Sequence, residues 1–483
     1  MKPNILIFMT DHQRADTVLP NGPAHMPNVA KLAAEGVRFS ETHCPTPHCC
    51  PSRASFFSGL YPSRHGVWNN VCNDQALRTG LLPGVKLWSE DLQQAGYKSH
   101  YSGKWHVSAD ETPKDRGWLE HLVTATGQAN MGLSWQDYED QAKTYDTSPR
   151  QEGELVRLGY PRTQLYGVND AGNAHDEKVV DTALDALTEL EQETDPWCLY
   201  VGAIGPHDPY VAPQRFLDMY PIEDIELPVN FADAMTDKPR VYQRMREQVF
   251  GQFSEYEYKQ CIRHFYAFCS YLDDLFGKLM DKLEAIGQAD NTLVIYCSDH
   301  GDYNGEHGLF AKGIPCFNGA YHVPNVMRWP KGITNPGRVV DDFVSLADFA
   351  PTFQELAGLE PDETLTGSSL VPFLHDEQPA TWRDDIATQC DGVELYYTQR
   401  SIRTKDYKYT FNGFDQDELY DLSIDPHEMR NVADDPHYQD IKRDMCKRLW
   451  RFAKQENDSA NHSYLTIRLA PYGPMMAFMD EPS

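Results

Sequence analysis

Three apolar runs in this chain end in turns that carry acid or imidazole. Residues 5–9 lead into Thr10-Asp11-His12, residues 197–204 into Gly205-Pro206-His207-Asp208, and residues 292–297 into Ser298-Asp299-His300. Each run reads as a buried strand, and ligands of open α/β sheets bind beyond the carboxyl ends of the strands. A lone Asp after a strand usually caps a helix, but three such turns in one chain point to a shared site. Asp11, Asp299 and His300 combine hard oxygen with one imidazole, a donor set suited to a divalent cation. A fourth segment, Cys49-Cys50-Pro51-Ser52-Arg53, sets a thiol just ahead of a helix. By itself that pattern also describes an inert buried cysteine.

The elements that must hold these turns alternate along the chain. Helices are expected over residues 26–35 (stopped by Gly36), 87–95 and 176–190, with short strands at 37–39 and 97–102. The best helix spans 257–286, where Ile262, Phe265, Phe268, Leu272, Leu275, Phe276, Leu279 and Leu283 recur at three- and four-residue spacing. This alternation predicts an α/β fold with a large mixed, mostly parallel sheet flanked by helices. Residues 110–174 read as an irregular insertion near the site. Texture changes near residues 358–366. Beyond it, 393–398, 401–411 and 418–422 read as antiparallel strands and 438–454 as a helix. The expected division is a main domain over 1–360 and a smaller C-terminal α+β domain over 361–483.

Composition narrows the function classes. Across 483 residues, 72 acidic side chains oppose 43 basic ones, for a formal net charge of −29. Such a field repels nucleic acid and anionic membranes, so neither is expected as a partner. Any site for an anionic ligand must therefore concentrate positive charge locally. The 11 cysteines form no regular framework, and Cys44, Cys49 and Cys50 lack a CxxC pair, which argues for reduced thiols over disulfides or structural zinc. The apolar run near the N-terminus is too short for a signal-peptide core or a membrane span. As written the chain is expected to be cytoplasmic, although one trimmed of its signal would read the same.

The segment from Cys49 through Arg53 to Ser58-Gly59 resembles the signature of the formylglycine-dependent sulfatases, a branch of the alkaline phosphatase superfamily. Cys49, two residues before Pro51, takes the position that the family oxidises to formylglycine. The likeness extends to Asn4–Asp11, Gly103-Lys104-Trp105-His106, Gly205-Pro206-His207-Asp208, Ser298-Asp299-His300-Gly301, Lys312-Gly313 and Leu419-Tyr420-Asp421-Leu422. Two turns depart from the common pattern: Asp11-His12 stands where many members have paired acids, and Asp299-His300 where many have Asp-Asn.

The resemblance implies metal-assisted hydrolysis of sulfate esters, of carbohydrates or other small organic molecules. Asp11, Cys49, Asp299 and His300 would hold one divalent cation, with His12 left open. The family points to Ca²⁺, and the added imidazole brings in Mn²⁺ or Zn²⁺. Arg53 would hold the formylglycine diol, Lys104 would sit beside metal and sulfate, and Lys312 would contact sulfate and the departing oxygen. His207 would be the acid for the leaving group and His106 the base that releases sulfate. Asn70 is a candidate substrate contact, and His65 and His322 are two more. The expected partners are a sulfated small molecule or saccharide and a formylglycine-generating maturation enzyme. The competing expectations are a phosphonate monoester or phosphodiester hydrolase with the same nucleophile, and a non-catalytic binder of sulfated glycans.

Overall fold

The computed structural model describes residues 2–73, 76–125, 134–157, 161–172, 174–392, 395–469 and 472–478. Its largest sheet has eight strands: β1 (Asn4–Thr10), β2 (Val37–His43), β3 (Lys98–Lys104), β4 (Leu119–Thr124), β5 (Trp197–Gly202), β6 (Thr292–Ser298), β7 (Asn325–Arg328) and β8 (Arg338–Ser345). Their order is β8-β2-β7-β6-β1-β5-β3-β4. Every residue of β1, β5 and β6 is buried, as their unbroken apolar runs predict for strands covered on both faces. All neighbouring pairs are parallel except those made by β7, which runs antiparallel to β6 and β2.

Register explains why the polar turns meet. Thr10 pairs with Ser298 and Met9 with Gly202, so β1, β5 and β6 finish almost level. Asp11, Asp299 and the Gly205–His207 turn therefore leave the same sheet edge. On the far side of β5, Gly103 pairs with Gly202 at a close approach. Gly103 has φ +118°, and a Cβ there would stand 2.1 Å from the Gly202 carbonyl oxygen. Two facing glycines let β3 deliver Lys104 to the same edge.

The long helix, Glu255–Ala285, covers one face of the sheet. Ser254 caps it by accepting from the Glu257 amide, while the Glu257 carboxylate accepts from the Ser254 amide at 2.8 Å. Its apolar stripe packs on the central strand, with Phe276 and Phe8 ring centroids 5.6 Å apart. Burial of each such ring contributes roughly 1.5–3 kcal/mol.

The C-terminal part forms a four-stranded antiparallel sheet, Asp385–Cys390, Gln399–Thr404, Tyr407–Asn412 and Glu418–Asp421, under the helix Gln439–Gln455. It has its own apolar core around Ile402, Tyr409, Leu419, Leu449 and Trp450. Three sequence expectations are corrected. Residues 395–398 hold no strand, Val393 and Glu394 lie outside the described residues, and the pairing strand comes earlier, at Asp385–Cys390. The single strand expected over 401–411 is a hairpin, because Lys405-Asp406 turns the chain back. The insertion over 110–174 is less irregular than expected, since it supplies edge strand β4 and a surface helix, Trp135–Thr144. Among the described residues, no helix is long and apolar enough to cross a membrane.

Candidate active site

Cys49 opens the helix Cys49–Ser58, whose ten residues are all buried. His48 precedes it in extended conformation, and Gly59 closes it in the left-handed region with φ +73°. Phe56 and Phe57 pack against Trp88, which fixes the helix under the sheet edge. The Cys49 sulfur lies 3.2 Å from His300 Nε2, 3.3 Å from Lys312 Nζ and 3.7 Å from an Asp11 oxygen. Burial alone would raise its pKa, but Lys104, Lys312 and His300 outweigh burial and hold the thiol well below its ordinary range.

Arg53, one helical turn on, is fully buried. It donates from Nε to Asp299 at 2.7 Å and from Nη1 to the Lys104 carbonyl and the Tyr200 hydroxyl at 3.0 and 2.9 Å. Its Nη2 lies 3.6 Å from Asp11 and makes no hydrogen bond with any described residue. A buried guanidinium nitrogen left without an acceptor calls for an explanation, and a polar group placed on residue 49 would supply one.

Asp11 bonds directly to Lys104 Nζ. Burial and the Cys49 thiolate push Asp11 up, yet Lys104, His207 and His300 prevail and hold its carboxyl at about 2. His300 donates from Nδ1 to the Gly301 carbonyl at 2.9 Å, which leaves Nε2 turned toward Cys49 and Asp11. Such a backbone bond at the far nitrogen is how proteins orient a metal-binding imidazole. One donor atom each from Asp11, Cys49, Asp299 and His300 lie within 4.8 Å of one another, and so do those of Asp11, His12, Cys49 and His207. Hard carboxylates with imidazole fit a divalent cation.

Above this cluster, Lys312 reaches His12 Nε2 and lies 3.3 Å from His207 Nε2. His207 donates from Nδ1 to the Asp208 carbonyl at 2.7 Å. Burial and Lys312 push His207 down, but Asp208, Cys49 and Asp11 reverse this and raise its pKa. His106 has left-handed backbone with φ +54°, and its Nδ1 makes no hydrogen bond with any described residue. Burial and Lys104 lower its pKa, which favours the neutral ring.

The structure thus brings together Asp11, Cys49, Arg53, Lys104, His106, His207, Asp299, His300 and Lys312. Asn70 also arrives: its Oδ1 accepts from the Cys50 amide at 3.2 Å, and the residue lines the cavity above Cys49. His322 lies apart, donating to the Ser40 carbonyl at 2.6 Å and stacking on His43 at 4.9 Å. His65 is a buried partner of Ser55 Oγ at 3.0 Å. Sequence reasoning missed Asp302, whose carboxylate meets His12 Nδ1 at 3.1 Å and the Tyr210 hydroxyl at 2.8 Å. A carboxylate behind an imidazole is the arrangement that fixes a ligand histidine. The signal was present, since Asp302 follows His300 by two residues, in the same strand-end turn.

Comparison with known proteins agrees with this geometry. The family model described as Sulfatase matches residues 3–359, and one described as the C-terminal part of N-sulphoglucosamine sulphohydrolase matches 305–455. The chain is 33% identical over 462 residues to choline-sulfatase of Rhizobium meliloti, covering 90% of this chain and 83% of the other. It is 26% identical to N-acetylglucosamine-6-O-sulfatase of Bacteroides thetaiotaomicron, covering 95% and 87%. Its fold matches the crystal structure of phosphonate monoester hydrolase of Agrobacterium radiobacter with a TM-score of 0.76 at 24% identity, covering 94% and 96%. With the Cys49 helix, the strand-end turns and the family match in agreement, the chain belongs to the sulfatase family of sulfuric ester hydrolases.

Proposed function

We propose that this enzyme hydrolyses sulfate esters of small organic molecules or saccharides, using a formylglycine made from Cys49 and one divalent cation. The observation that carries the reading is Cys49 held between two kinds of charge. Asp11, Asp299 and His300 lie on one side, and Lys104, Lys312 and His207 face the same atom. Asp11, Asp299 and His300 would hold the cation with residue 49, and His12, backed by Asp302, is turned toward the same place. Ca²⁺ is the ion that the resemblance favours, and the imidazole also accommodates Mn²⁺ or Zn²⁺. A bound cation would lower the pKa of an oxygen on residue 49, and a hydrated aldehyde there would offer a second hydroxyl for regeneration. Making that aldehyde calls for a separate maturation enzyme.

The chain's own residues do the rest. Arg53 Nη2 holds a hydroxyl of residue 49 in place. Lys104 and Lys312 bind the sulfate oxygens, each fixed cation being worth roughly 3 kcal/mol where charge builds in the transition state. His207, with its raised pKa, gives its Nε2 proton to the departing oxygen. His106, neutral by burial, takes a proton from residue 49 when sulfate leaves. A second reading, phosphonate monoester or phosphodiester hydrolysis, is favoured by Asn70 in the cavity and by His300 among the metal candidates. Lys104, His106 and Lys312 together favour sulfate.

The test begins with mass spectrometry of residue 49 in protein made beside a maturation enzyme. Turnover of an aryl sulfate, a panel of sulfated sugars and a phosphonate monoester is then compared, with Cys49→Ala as control. Sulfate turnover lost in the variant supports the proposal, and preference for the phosphonate would install the second reading. No turnover by modified, cation-loaded protein would refute both.

A further inference from the structure

The cavity above Cys49 has a volume of about 500 Å³ and two kinds of wall. Around Lys312 it is polar, with His12, His48, Asn70 and the carboxylate of Asp208. Elsewhere Leu165, Met245, Val249, Phe250, Phe310 and Ile314 line it, and they offer an organic group apolar contact without hydrogen bonds. Into this cavity the helix Arg240–Gln248 brings Arg244, an exposed side chain.

Arg244 makes no hydrogen bond or ion pair with any described residue. Its neighbours on the helix are engaged: Arg246 donates to the Phe231 and Asp233 carbonyls, and the Arg240 amide donates to Asp415 at 2.9 Å. In a chain with 72 acidic side chains, a guanidinium that meets none of them is placed against the prevailing charge. Arg157 shares the same cavity, its Nη2 donating to Thr163 at 3.2 Å. Arg157, Arg244 and Lys312 against the single carboxylate of Asp208 leave the cavity net positive, which disfavours a quaternary ammonium ester despite the Phe250 and Phe310 rings. The apolar wall is equally unsuited to a bare sugar, whose hydroxyls would lose water without gaining partners.

We propose that the preferred substrates are sulfate esters with an apolar body that carries a second anionic group, and that Arg244 selects them by binding that group. This rests on the sulfate-ester reading above and narrows its substrate class. A charge-assisted hydrogen bond of this kind is worth about a ten- to hundredfold preference.

The experiment compares two aryl sulfates that are identical except for a para carboxylate or carboxamide. The wild-type enzyme is expected to favour the carboxylate at least tenfold in kcat/KM, and Arg244→Gln to bring the ratio near one. Arg244→Glu should turn the preference toward an aryl sulfate bearing a trimethylammonium group, a reversal that simple loss of folding cannot produce. Titration calorimetry on Cys49→Ala reads the same carboxylate-to-carboxamide contrast as binding, without turnover. A failure of hydrolysis is thereby told apart from a failure of anion recognition. A wild-type contrast below threefold in both measurements, or one unchanged in Arg244→Gln, overturns the inference.

Discussion

Replacing Lys312 with Met tests the proposed chemistry most directly. The ammonium lies 3.3 Å from the Cys49 sulfur and 3.3 Å from His207 Nε2, so it touches both the nucleophile's position and the acid's. Loss of one fixed cation at a developing charge costs roughly 3 kcal/mol of transition-state stabilisation, which is about a 150-fold fall in kcat/KM. The same deletion has a second, independent signature. Lys312 is among the groups pushing the His207 pKa down, so its removal raises that pKa further. The acid then stays protonated to higher pH, and the falling limb of the rate profile moves upward even as the rate drops. The assay is kcat/KM against pH for 4-nitrophenyl sulfate and for an alkyl sulfate, with residue 49 modification matched by mass spectrometry. The alkyl ester should lose more, because its departing oxygen depends more on stabilisation. A loss below tenfold, equal for both esters and with no movement of the limb, would refute the assignment.

Four further outcomes follow from the structure. The wild-type profile of kcat/KM should be bell-shaped, rising through the lowered pKa of His106 and falling through the raised pKa of His207, on either side of an ordinary histidine. His207→Asn should erase the falling limb for the alkyl ester. Asp302→Ala frees His12 Nδ1 and should weaken cation affinity about 10- to 100-fold in metal titrations, while an unchanged affinity would detach His12 from the metal. Asp458→Ala removes the buried partner that Arg400 meets at 2.5 and 3.0 Å. It should cost about 3–5 kcal/mol in urea unfolding, toward the lower figure because Asp391 still holds Arg400 at 2.7 Å.

The site was largely readable because its residues occupy positions with strong local rules. Asp11, Asp299 and His300 each follow an apolar strand, and parallel register carries their turns to one edge without help from distant contacts. Cys49 and Arg53 share one short helix. The rest depends on pairings that leave no local trace. The β7 strand is four residues long and reverses direction within a parallel sheet, which no hydrophobic period announces. The hairpin at Lys405-Asp406 has neither glycine nor proline to mark its turn. Tyr200 under Arg53 belongs to a strand that reads only as apolar. Arg244 lies on a helix far in sequence from every motif, and its meaning appears only when the cavity is assembled. His322 shows the converse: a histidine beside a motif, drawn away by the stacking partner that β2 supplies.

The helix that begins at Cys49 has no exposed face. Its backbone amides should therefore exchange with solvent only through opening of the whole domain, among the slowest protons in the molecule. The same burial sets a deadline. A macromolecular catalyst that must grip several residues around Cys49 can do so only before those residues are enclosed by the sheet edge and by Trp88. If residue 49 is modified as proposed, folding and modification compete for the same chain, and the fraction of active molecules becomes a ratio of two rates. On that proposal, a chain that folds first keeps its unmodified Cys49 thiol enclosed.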